Sequence, residues 1–76
     1  MDKLGHIMAI IRTEYERAAK KHPGKNESRH HGFAVLKEEV DELWDAVKTD
    51  NIEEGRTEAV QVAAMAIRFL METPEQ

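Results

Sequence analysis

Apolar residues recur along this chain at three- and four-residue steps, the spacing that lines up side chains on one face of an α-helix. Leu4, Ile7, Met8, Ile11, Tyr15, Ala18 and Ala19 form the first such stripe, with Arg12, Glu16 and Lys20 opposite. They predict a helix over 3–21, ended by Pro23-Gly24, because proline cannot continue a helix and glycine accepts the turn beyond it. Residues 25–31 read as a polar loop in which Ser28 or Asn26 is placed to cap the next helix. That second helix is predicted over 32–49 on Phe33, Leu36, Val40, Leu43 and Val47. Asp50-Asn51 interrupts it, and either Asp50 with Glu53 or Asn51 with Glu54 fits a capping box for a third helix over 52–72. Gly55 reads there as a kink or a late start. Nowhere do apolar and polar residues alternate, so no strand is expected. The reading is one all-α domain over 1–76.

The third segment changes the picture from a monomer to an assembly. From Thr57 to Met71 it is apolar around most of its circumference, and only Glu58, Gln61, Arg68 and Glu72 make a polar stripe. Such a helix is buried on several sides, and two short helices cannot cover it. With 76 residues the chain is also small, and a domain of about that size buries only about 60% of its unfolded surface. A homo-oligomeric helical bundle, dimer or tetramer, is expected, with the third helix near a symmetric interface. Cysteine is absent, which excludes disulfides and thiolate metal sites and leaves carboxylate, imidazole and amide ligands. No run approaches the roughly 18 apolar residues of a membrane span, and nothing resembles a signal peptide. The expectation is a soluble, cytoplasmic protein with no membrane partner.

The formal net charge of −4 argues against nucleic acid as the main partner, but its distribution says more than its total. From Arg17 to His31 the chain carries Arg17, Lys20, Lys21, Lys25 and Arg29 against the single acid Glu27. Between Lys37 and Glu58 the balance reverses, with nine acids facing Lys37, Lys48 and Arg56. At roughly 100° per residue, Glu38, Glu39 and Glu42 fall together on the flank of the second helix that holds Val35 and Ala46, whereas Asp41 and Asp45 point further toward solvent. Like charges at helical neighbour positions cost about 0.2–0.5 kcal/mol per pair. A hard divalent cation held by oxygen ligands would relieve that repulsion, with Glu58 of the next helix reaching the same ion. The plain alternative is two solvated faces of opposite sign.

The run Glu38-Glu39-Val40-Asp41-Glu42, followed by Glu58 in Glu58-Ala59-Val60-Gln61, resembles the signature of the MazG-like all-α nucleoside triphosphate pyrophosphohydrolases, in particular small members from bacteria and phages. The likeness covers roughly Phe33 to Leu70. It implies an Mg²⁺-dependent hydrolase, with Mn²⁺ as the alternative ion, that splits a nucleoside triphosphate into a monophosphate and pyrophosphate. It implies Glu38, Glu39, Glu42 and Glu58 as metal ligands, with Glu39 and Glu42 in the catalytic step. The family's second motif is usually ExxD, and here the residue three after Glu58 is Gln61, whose amide can coordinate a cation but brings no charge. Either a site is completed across a dimer, or the chain is a catalytically reduced interaction module on the same scaffold.

Lys25, Arg29 and Lys37 are the expected phosphate contacts, since the basic hinge leads directly into the acidic helix. Adjacent His30 and His31 project about 100° apart and would not face one ion together; they read as exposed loop or helix-start residues, with His31 near a phosphate as the alternative. His22 reads as a helix-end residue. Trp44, at the margin of the apolar stripe, reads as an interface residue rather than a base-stacking one. Met65 is either a pocket wall or a helix contact.

Overall fold

The computed structural model describes residues 2–73. It contains three helices, α1 (Lys3–Lys21), α2 (Arg29–Lys48) and α3 (Ile52–Glu72), and no strand among the described residues. Each start is capped by a side chain that satisfies an otherwise orphaned backbone N–H. Asp2 accepts from Gly5 N at 2.7 Å, Ser28 from His31 N at 3.1 Å, and Asn51 from Glu54 N at 3.0 Å. Ser28 is therefore the cap of α2, which begins at Arg29, three residues before the start at 32 that its pattern predicts. Residues 29–31 are polar, so the stripe could not mark that first turn.

The connection from α2 to α3 is a tight clasp. Asn51 N donates to Ala46 O at 2.9 Å and Asp50 N to Val47 O at 3.1 Å, the paired bonds that close a helix through a left-handed residue. Asp50 is that residue, with φ of 55°, a conformation that aspartate tolerates better than most side chains. Asn51 thus ends one helix and caps the next, and α3 runs through Gly55 without interruption. A Cβ on Gly55 would lie 3.9 Å from that of Ala46. This antiparallel register carries Glu39 and Glu42 alongside Glu58.

Helix α3 is the centre of the fold: it packs against both α1 and α2, which make no packed contact with each other. The core is small, consisting of Ala18, Ala46, Ala64 and Met65, with Tyr15, Val35 and Leu36 packed against its edge. Ten large apolar side chains among the described residues remain exposed, Leu70 at 82% and Ile52 at 80% being the most open. Leu4 and Met8 of the first apolar stripe and Phe33, Val40 and Val47 of the second are among them. The stripes are real, but within one chain much of their surface meets nothing. An apolar groove of about 860 Å³ also runs between α1 and α3, past Ile11, Tyr15, Ala63 and Ile67. No helix is long and apolar enough to cross a membrane among the described residues.

Candidate carboxylate and phosphate site

Because α1 and α2 flank α3 without meeting, a cleft of about 730 Å³ opens between them. One wall carries Glu39 and Glu42 of α2 with Glu58 and Gln61 of α3. The other carries Arg17 and Lys21 of α1, continued by His22 and Lys25 of the hinge. Among the described residues, neither Lys21 nor Lys25 is held in an ion pair. Arg17 is paired with Glu14, whose carboxyl it holds below the usual range, with the Gln61 side chain adding to the effect.

On the acidic wall, carboxylate oxygens of Glu39, Glu42 and Glu58 lie within 4.8 Å of one another. Oε2 of Glu58 is buried without a hydrogen-bond partner. Its close neighbours are themselves carboxylates, which can donate only when protonated. Burial, followed by the Glu39, Glu54 and Glu42 side chains, pushes the Glu58 carboxyl from 4.5 up to about 8. Burial is also the main cause raising Glu39, reinforced by Glu42 and Glu38 and partly opposed by Glu58. At an effective dielectric near 20, two charges at such a separation repel by about 3–4 kcal/mol. A captured proton or a bound cation is the way to remove that repulsion.

The donor set fits a hard divalent cation. Oxygen ligands on one Mg²⁺, at about 2.0–2.1 Å from the ion, stand about 3–4 Å apart, and slightly further on a larger ion. The trio's oxygens, within 4.8 Å of one another, stand near that range, and a buried oxygen lacking a donor is what such an ion would satisfy.

Not every residue expected from sequence meets at this point. Glu38 is exposed and outside the trio, because α3 lies against the side of α2 that carries Glu39. Gln61 lines the same cleft one turn beyond Glu58, with its side chain near Glu14. Lys25 lines the cleft; Arg29 and Lys37 do not. Lys37 bonds Asp41 at 2.9 Å on the outer face of α2. His31 reaches the cleft margin, its Nδ1 accepting from Glu27 N at 3.0 Å. Met65 is both buried and part of the cleft wall.

Four contributors were missed in the sequence. Arg17 and Lys21, one helical turn apart at the end of α1, carried a readable signal in their spacing. Glu54, one turn before Glu58, carried the same one. Arg68 gave none: it is 7% exposed and donates from Nη2 to the backbone oxygens of His22 and Gly24, a contact between distant segments. No family model, curated protein or solved structure matches the chain.

Proposed function

We propose that this protein is an Mg²⁺-dependent nucleoside triphosphate pyrophosphohydrolase of MazG-like type, acting as a homo-oligomer. The buried, unpartnered oxygen of Glu58, grouped with Glu39 and Glu42 across a cleft from Lys21 and Lys25, carries this reading. Glu39, Glu42 and Glu58 would hold the ion. When bound, Mg²⁺ supplies charge neutralisation for a polyphosphate and lowers the pKa of coordinated water. Lys21 and Lys25 bind phosphate oxygens from the opposite wall, and Arg17 adds charge there. Glu39 would also orient a water and take its proton. The water oxygen bonds to the α-phosphorus, the bridge to the β-phosphorus breaks, and the monophosphate and pyrophosphate leave.

Pyrophosphate release from a panel of deoxynucleoside triphosphates, with and without Mg²⁺, tests the proposal. Magnesium-dependent release is expected. No release, together with no change in melting temperature on adding Mg²⁺ and a nonhydrolysable analogue, overturns it.

Surface area supports self-association. The chain exposes 5930 Å², whereas a compact monomer of 8.7 kDa exposes about 4,700 Å². The same excess, with Gln61 standing where an acid is usual, favours a second reading: a helical oligomerisation module that has lost catalysis. On that reading Glu39→Gln leaves Mg²⁺ response absent, as in the unaltered chain, and assembly intact.

A further inference from the structure

We infer that Arg68 is a positioning residue for the cleft, holding the α1–α2 hinge so that Lys21 and Lys25 stand opposite the carboxylate trio. The inference deepens the proposed function and rests on it for the role of those lysines. Arg68 is a buried cation, and among the described residues its three hydrogen bonds go to the hinge and to its own helix. Nη2 donates to His22 O and Gly24 O, the latter at 2.7 Å, and Nε donates to Glu72 Oε1 at 3.0 Å. The two carbonyls bracket Pro23, which has no N–H through which the loop could hold itself. A second tie joins the same end of α3 to the same loop: Asn26, 7% exposed, donates Nδ2 to Thr73 Oγ1 at 2.8 Å.

Helix α3 therefore carries Glu58 in its first half and the anchors of the hinge in its last turns. Arg68 lies ten residues beyond Glu58, a rise of about 15 Å along a stiff axis, which fixes the spacing of the two walls. Arg68 acts by position rather than by charge, because Glu72 neutralises it locally. The neighbouring Glu72 carboxylate also raises the pKa of the Tyr15 hydroxyl, which draws α1 into the same cluster. A planar guanidinium with fixed donors can serve two carbonyls and a carboxylate at once; a lysine ammonium is a single point on a flexible stem.

The test uses the full chain with Arg68→Met and Arg68→Lys. Trypsin cleavage after Lys21 and Lys25, measured without ligand, is expected to accelerate about tenfold in Arg68→Met, as local opening replaces a held loop. KM for the triphosphate is expected to rise about tenfold with kcat nearly unchanged, the loss of one charge-assisted contact. The Mg²⁺-induced rise in melting temperature should stay as in the unaltered chain. Arg68→Lys should fall between the two, and it decides the matter if Arg68→Met does not fold. Unchanged hinge cleavage, or loss of kcat and Mg²⁺ response at constant KM, overturns the inference. So does hinge cleavage in the unaltered chain as fast as in an unfolded peptide. If the unaltered chain turns over no triphosphate, the proposed function fails, and ligand-free cleavage still decides what Arg68 holds.

Discussion

The two flanks of α2 have opposite fates. Phe33, Val40 and Val47, the large residues of its apolar stripe, are 58%, 43% and 53% exposed. Roughly 110° around the helix, Gly32 and Ala46 are buried and Val35 and Glu39 are half-buried against α3. The chain thus packs its small and acidic flank inward and leaves its large apolar flank open. Small residues let helix axes approach, and a Cβ on Gly32 would come within 2.9 Å of the Phe69 ring and 2.7 Å of Thr73 Oγ1. Close approach is also what dehydrates Glu39 and Glu58 and turns three glutamates into a site. The open flank has a different logic. Phe33, Val40 and Val47 repeat every seven residues with Leu36 and Leu43 between them, the spacing of a seam that receives another helix. One face of α2 carries the carboxylate cluster against α3; the other is left uncovered within the chain.

The contrast can be broken first at its acidic flank. Glu39→Gln should reduce pyrophosphate release at least about 100-fold, as expected for loss of a metal-holding catalytic carboxylate. Glu38→Gln, one residue away and outward, should leave the rate within about twofold. Equal losses in both would mean that the inward flank is not what matters.

The outer seam is tested next. Val40→Glu combined with Val47→Glu should weaken self-association about 100-fold or more, since buried unpaired charge opposes the interface; sedimentation of the two chains side by side measures it. Unchanged assembly would move the interface to the α1–α3 groove.

Acidity sharpens the inward flank without mutation. Glu58 titrates near 8 in the folded chain against 4.5 ordinarily, so between those values the folded state holds a proton that the unfolded state has lost. Its stabilising contribution is complete below about pH 4.5 and disappears as pH rises toward 8. Metal-free melting temperature should therefore fall from pH 5 to pH 8, while the increment from Mg²⁺ should grow, because binding needs deprotonated ligands. A melting temperature that rises through this window would contradict the assignment.

The smallest effects separate the two helical glycines. Gly32→Ala should destabilise by about 1–2 kcal/mol through overpacking, seen as a drop of about 4–8 °C per kcal/mol. Gly55→Ala meets only ordinary contact and should stabilise by about 0.5–1 kcal/mol from helix propensity. Thermal denaturation reads both.

Three helices and their order were legible in the chain, and the caps of α2 and α3 were narrowed to two candidates each while Asp2 of α1 was not read, because periodicity and capping depend on residues within a turn or two of one another. The register of Glu58 against Glu39 and Glu42 was partly legible: Asp50-Asn51 announced a short connection, and a short connection between helices makes them antiparallel neighbours. Only tertiary structure decided which flank of α2 turns inward, since an apolar stripe states that a helix must be covered without stating by what. It excluded Glu38 from the trio and kept Glu42 by a rotation of α2 that no local pattern encodes. Arg68 and its grip on His22 and Gly24 were likewise invisible, as that contact spans distant parts of the chain and exists only once α1 and α3 have packed.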